Sequence, residues 1–478
     1  MNPAVQRFLP RTTLACALAC SLPAVAAQAP PATLEEMWKI VQQQQKEIEG
    51  LKAKAAQADA LQEEVKSLRQ AQSAPAPEKS KATDADRKTQ ILATEVEKLK
   101  SQLVIPDKRE YKSLYGFGPA ASGVYRVNSG LSIGGYGEAI YTNYTSHKGE
   151  QRDQFDLVRA VLYAGYKFND WIILNNEIEF EHATTGEGSE SKGEVSVEFS
   201  QLDFFLHPKA NVRAGLMLMP MGFINEMHEP TTFHGTHRPD VERYIIPATW
   251  REMGAGLFGE ILPGLQYRMY AVNGLNARDF TSAGIRDGRQ GGSKALAENF
   301  AFTGRLDYIP PFAPGVLVGG SAYVGDAGQA DPVLGRHTSI KTQLYEGHLQ
   351  WHYKGLEFRA LGAWGHVGDA GLLSAANGEP IGKENFGWYT EAAYDLMPLI
   401  WSDSSQYLAP FIRYERYDSL AKLPAGVLDD GSFDRRIYQA GLSYKPIPNV
   451  VIKADYRNIS SAAGQNPHEF NLGLGFIY

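Results

Sequence analysis

Cysteine is nearly absent. The 478 residues hold 2, Cys16 and Cys20, both within the first thirty positions. The rest of the chain therefore needs no disulfide and has no thiolate to offer a metal. Long apolar runs are missing too. Beyond residue 30 no stretch approaches the roughly 18 uncharged apolar residues of a membrane-spanning helix, which excludes a helical membrane protein. There is no P-loop, no G-x-S-x-G elbow and no H-E-x-x-H pair. The chain is accordingly read as a non-enzyme without a cofactor. Its length is too great for one ordinary soluble domain.

What is present begins with an export signal at residues 1–27. Arg7 and Arg11 supply positive charge, Thr12 to Val25 is apolar, and Ala24-Val25-Ala26 offers small residues for cleavage. The apolar run is too short for an anchor. A lipoprotein reading through Cys20 would want leucine three positions earlier, where Ala17 stands. Cleavage removes both cysteines, which suits passage through an oxidising periplasm.

Residues 28–72 follow heptads. Leu34, Val41, Ile48 and Ala55 occupy one seam position; Met37, Leu51, Ala58 and Val65 occupy the other, flanked by Glu, Lys and Gln. This pattern predicts an α-helical coiled coil. Residues 73–90 are rich in Ala, Pro, Ser and charge and read as a linker. A second helical stretch covers 91–106, with Leu92, Val96, Leu99 and Leu103 in phase and Pro106 as its stop.

From Leu131 the period drops to 2. Val158, Ala160, Leu162, Ala164, Tyr166 and Phe168 alternate with Arg159, Val161, Tyr163, Gly165 and Lys167. Phe300, Phe302, Gly304, Leu306 and Tyr308 alternate with Ala301, Thr303, Arg305 and Asp307. One face is apolar and aromatic and the other polar, as in a strand with lipid on one side and water on the other. About sixteen such segments can be counted. Short turns (Asn169-Asp170, Lys354-Gly355, Pro446 to Asn449) alternate with long polar loops, the longest at 222–251. That alternation predicts an all-β transmembrane barrel of about 16 antiparallel strands over 107–478, with both barrel termini on the periplasmic side. Segments 131–144 and 194–207 alternate poorly. In the second, a bulge near Ser200 would account for the phase change. The chain ends Phe470, Leu472, Leu474, Phe476, Tyr478, apolar at every second position and closing on an aromatic ring. Outer-membrane barrels are similar, and such a strand is their insertion signal.

Region 107–478 holds 33 basic and 42 acidic residues, net −9. Such a barrel is no general attractor of anions, nucleic acid included. Glu177, Glu179 and Glu181 share one face of a strand whose other face is Ile172, Leu174, Ile178 and Phe180. Three carboxylates in lipid would be very costly, so they face the lumen. Arg159, Lys167, Arg213, Arg268 and Arg305 join them as expected pore-lining residues. Either opposed walls of charge set up a transverse field, or neighbouring charges neutralise one another. The 222–251 loop carries Glu226, His228, Arg238, Asp240, Glu242 and Arg243 around an apolar Tyr244-Ile245-Ile246-Pro247 and is the expected constriction. Its histidines are irregularly spaced, so no metal site is expected.

Arg213-Ala214-Gly215, then Pro220-Met221-Gly222, Glu242-Arg243 and Gly254-Ala255-Gly256-Leu257 resemble the phosphate-selective porin O and P family. The resemblance covers most of the chain in layout and implies a signal, a coiled coil and a trimeric sixteen-stranded barrel passing small anions. Glu177, Glu179, Glu181 and the net charge run against phosphate selectivity. The expectation is thus an outer-membrane porin for passive diffusion of small hydrophilic solutes, with a periplasmic N-terminal segment. Alternatives are an anion-selective channel, or a structural barrel tethering the envelope through its coiled coil. Expected partners are outer-membrane lipid, two further copies of the chain, the insertion machinery and, through the coiled coil, the cell wall.

Overall fold

The computed structural model describes residues 112–185, 192–429 and 431–478. The expected signal, coiled coil, linker and second helical stretch lie outside these residues. The described part is built on one closed antiparallel sheet of sixteen long strands. They are β1 (Gly130–Ser146), β2 (Gln154–Lys167), β3 (Ile172–Glu181), β4 (Val195–His207), β5 (Ala210–Leu218), β6 (Arg251–Leu262), β7 (Leu265–Asn273) and β8 (Phe300–Tyr308). Then come β9 (Val316–Asp326), β10 (Lys341–Tyr353), β11 (Leu356–Val367), β12 (Glu384–Tyr394), β13 (Tyr407–Lys422), β14 (Asp434–Ile447), β15 (Val450–Ser461) and β16 (His468–Ile477). A two-residue strand, Gly464–Gln465, folds back on the end of β15. Each strand pairs with the next, and β1 pairs with β16 from Tyr136↔Ile477 to Ser146↔His468, so the sheet has no free edge.

The strands obey the period-2 pattern. In β2 and β8 the residues Val161, Tyr163, Ala301 and Arg305 are buried, whereas Phe302 is 66% and Leu306 52% exposed. Leu472, Leu474 and Phe476 of β16 are likewise exposed. So many large apolar side chains facing outward would form an aggregating patch in water; in a bilayer they form the hydrocarbon-facing belt. The β4 phase change comes from a bulge two residues before Ser200. Glu177 pairs with Phe199 and Ile178 with Val197, which leaves Glu198 as the extra residue. Glu198 and Phe199 therefore both point inward. Poor alternation in β1 reflects close approach: a Cβ on Gly137 would lie 2.6 Å from the Phe476 ring.

Short turns after β2, β4, β6, β10 and β14 alternate with longer connections after most odd strands, whereas the connections 309–315 after β8 and 395–406 after β12 are of intermediate length and 462–467 after β15 is compact. One long connection, 219–250, turns into the lumen. Met219, Met221, Phe223, Ile224, Val241, Ile245, Ile246 and Trp250 are all buried there, and an outward loop of that composition would leave them in water. Asn225 ties the loop's two ends. Its amide donates to the carbonyls of Met219 (2.7 Å) and Trp250 (2.9 Å) and its oxygen accepts from Trp250 N–H (2.7 Å). A second insertion precedes β1. Residues 112–126, with a 3-10 turn at Ala121–Tyr125, lie against the inner wall, where Phe117, Ala120 and Ala121 are buried with Tyr136, Tyr163 and Phe199.

Candidate functional site: the lumen

The lumen is polar because every inward position of sixteen strands collects in it. The carboxylates and guanidinium groups there are mostly matched. Arg159 Nε lies 2.8 Å from Glu138 and its Nη1 3.0 Å from Glu179. Arg213 makes a bidentate pair with Asp203 at 2.8 and 2.9 Å and stacks between the rings of Phe117 and Phe258. Arg268 Nη2 and Arg305 Nε share Asp307 at 2.5 and 2.8 Å. Deep ion pairs of this kind survive only where hydrogen bonds satisfy both partners. Lys167 stands apart, beside the short β2–β3 turn, 3.1 Å from the exposed Asp170. Glu177 and Glu179 are buried, and Glu181 is half-buried beyond them.

The 219–250 loop is fastened to much of the wall. Glu226 lies 3.4 Å from Arg268, and Arg305 donates to the Gly222 carbonyl. His228 meets Glu177 and Glu198 at 3.3 and 3.2 Å. His234 pairs with Glu391 at 2.9 Å. Asp240 accepts from Arg457 at 2.9 Å. Glu242 accepts from Ile224 N–H (2.8 Å) and Tyr389 O–H (2.6 Å). Arg243 is exposed over the Tyr244 ring, and the Nε and Nη2 atoms of Arg238 are buried without hydrogen-bond partners. Burial raises the carboxyls of Glu226 and Glu242. Burial also pushes Glu229 up to about 7, against the pull of the Ala120 and Ala121 N–H groups. Burial lowers His228, but Glu177 and Glu198 outweigh it and hold it up at about 10.

Two cavities flank the loop and share no lining residue. One, about 470 Å³, lies between the loop and β10, β11, β13 and β14, lined by His234, Gln350, Glu357, Arg359, Tyr407 and Lys445. The other, about 570 Å³, has Glu179, Glu181, Glu194 and Glu198 from β3, β4 and their connection on one side. Arg251, Arg286 and Arg289 line it from β6 and the 274–299 connection. Arg286 is lowered to about 9 by burial and by the nearby Arg289 and Arg243.

Several residues escaped the reading of the sequence. Glu198 was findable, since a carboxylate between the outward Val197 and a phenylalanine has to face inward. Arg286 and Arg289 sit in a long polar loop with no feature to mark them. Glu229 falls within the expected constriction loop, but its pairing with the 112–126 insertion gave no signal, because it spans more than a hundred residues: Glu229 accepts from Ala120 N–H at 2.9 Å and Ala121 N–H at 3.1 Å.

A closed sixteen-stranded barrel with an apolar belt and an inward-folded loop has the architecture of outer-membrane porins. Salmonella typhi OmpF, solved with daunomycin, superposes with a TM-score of 0.50 at 10% identity, covering 73% of this chain and 98% of that one. At that identity the likeness defines the fold alone. The outer-membrane channel DcaP of Acinetobacter baumannii aligns at 13% identity and a TM-score of 0.46, over 73% of this chain and 96% of its own. By sequence, an uncharacterized protein of Aquifex aeolicus (strain VF5) is 39% identical over 373 residues, 75% of this chain and 82% of that protein. The chain belongs to the same family as that protein. No family model matches it.

Proposed function

We propose that the protein is an outer-membrane porin that passes small hydrophilic solutes by passive diffusion, with the 219–250 loop as its constriction. The observation that carries this is the loop itself. Its own apolar residues and its pairs with β3, β4, β7, β8, β12 and β15, together with the Val241 N–H donating to Glu415 of β13 at 3.2 Å, hold it inside a barrel whose remaining lumen is charged. A polar lumen narrowed by a fixed loop selects by width and wall charge without energy input. The 112–126 insertion narrows the same lumen further. Matching of carboxylates by arginines at most inward positions supports weak selectivity rather than a dedicated phosphate path. Glu138, Arg159, Lys167, Glu177, Glu179, Glu181, Arg213, Arg268 and Arg305 line the wall in this reading. The exported, trimeric form with a periplasmic coiled coil and insertion through β16 belongs to the same reading.

A second reading, anion selectivity, is favoured by Arg251, Arg286 and Arg289 around one cavity. Single-channel current in a planar bilayer under a salt gradient separates the two. Discrete steps with a weak or cation-directed reversal potential support the general porin. An anion-directed potential with block by phosphate supports the second reading. Absence of any conductance overturns both.

A further inference from the structure

One loop–wall contact has a donor set unlike the others described above. Most anchors of the loop match a carboxylate to a guanidinium or an N–H. At β3 and β4, two carboxylates converge on a single imidazole nitrogen. Glu177 Oε1 lies 3.3 Å and Glu198 Oε2 3.2 Å from His228 Nε2, and ligand atoms of the three residues all lie within 4.8 Å of one another. The side chains are 0%, 1% and 2% exposed, respectively for Glu177, Glu198 and His228. Glu198 Oε2 and Glu177 Oε2 are buried without a hydrogen-bond partner.

The imidazole is already oriented. Its Nδ1 lies 3.0 Å from the Asn225 carbonyl oxygen, which can only accept, so Nδ1 carries a proton. If Nε2 is bare, three acceptors face one another. If Nε2 is protonated, one hydrogen serves one carboxylate and the other is left short. A dication satisfies all three donors at once.

We propose that Glu177, Glu198 and His228 form a binding site for a divalent transition-metal ion of the zinc class, which pins the folded-in loop to the wall. Tetrahedral ligands about 2.0–2.1 Å from zinc sit about 3.3–3.4 Å apart, close to the two imidazole–carboxylate distances of 3.3 and 3.2 Å. One imidazole and two carboxylates without a thiolate suit zinc better than a soft or an all-oxygen ion, and leave a fourth position for water. The surroundings hold the ligands in place: the Asn225 carbonyl orients His228, and Arg251 Nη1, 3.3 Å from Glu198 Oε1, orients Glu198. Glu198 also lines the cavity of about 570 Å³, which gives an ion a route in. Because Asn225 also joins the loop's two ends, metal binding would tighten loop closure. The site does not depend on whether the channel conducts.

The test uses the folded full-length chain in detergent, stripped with chelator and titrated with zinc ion alone. The expected result is one zinc per chain, bound about 100-fold more weakly by Glu198→Gln and by His228→Gln, and unchanged in the surface variant Glu150→Gln. Zinc-edge X-ray absorption of the wild type should show a nitrogen/oxygen shell with imidazole scattering. That spectrum decides the matter even if the variants fail to fold. Absence of stoichiometric zinc, a shell without imidazole, or equal affinity in folded Glu198→Gln would overturn the proposal.

Discussion

Removing the Glu229 carboxylate should loosen the 112–126 insertion and enlarge the lumen. The carboxylate accepts from Ala120 N–H at 2.9 Å and 3.1 Å, and from Ala121 N–H at 3.1 Å. Glu229→Ala leaves two buried N–H donors without partners, each costing about 1–3 kcal/mol, so docking weakens by about 3 kcal/mol. That is about a 150-fold shift in the docked-to-released ratio. Other ties, among them Tyr125 O–H to Asp203 at 2.7 Å, Asn175 to the Ala121 carbonyl at 3.1 Å and Arg213 to the Tyr115 carbonyl at 3.3 Å, oppose release without replacing the lost pair. Glu229→Gln keeps Oε1, which can still accept from both donors, and should cost only about 1 kcal/mol. At pH 8 the order of mean single-channel conductance should be Ala above Gln above wild type. Chymotrypsin cleavage between Tyr115 and Tyr125 should follow the same order. A folded Glu229→Ala barrel with wild-type conductance and wild-type protection would refute the reasoning.

Asp203→Ala strands the buried Arg213 and should destabilise the barrel by about 3–5 kcal/mol, read as a lower heat-modification temperature on gels. Asp203→Asn, which keeps an acceptor, should cost less. Paired Arg286→Ala and Arg289→Ala changes remove positive charge from the cavity that also holds Glu181. They should raise the cation-to-anion permeability ratio about two-fold at low salt, with little effect at 1 M, where the screening length is about 3 Å. Glu242 is buried and its carboxyl is raised above its ordinary value. The folded state therefore binds the proton more tightly than the unfolded state. Loop stability should fall as pH rises from the ordinary carboxyl range through the raised value, and Glu242→Gln should flatten that slope in a protease-resistance titration. Leu472→Arg, on the outer face of the closing strand, should cost about 2–4 kcal/mol in bilayer folding titrations, whereas a change to another apolar residue should be nearly neutral.

The barrel was legible because a strand's side-chain period is local. Val158 to Phe168 or Phe470 to Tyr478 declares its lipid face without reference to any other part of the chain. The count of alternating segments then gave the strand number, and the alternation of short and long connections gave closure with both barrel termini at one end. Inward placement of Glu177, Glu179 and Glu181 followed from the cost of a carboxylate in hydrocarbon. The bulge near Ser200 was legible as a phase error, though its exact residue, Glu198, depended on the pairing with β3.

Only the tertiary structure decided which inward charges meet. Arg159 finds Glu138 and Glu179, while Arg213 finds Asp203 and the aromatic residues that enclose it. Those choices depend on strand register and on the insertions, neither of which has a local sequence signature. The same holds for Glu229 with Ala120 and Ala121, and for the triad of Glu177, Glu198 and His228. The spacing of the loop's histidines could not reveal this triad, because two of its three members lie on β3 and β4, away from the loop in sequence. Alternation fixes the direction a side chain points, whereas the partner it meets there is set by the closure of sixteen strands around a folded-in loop.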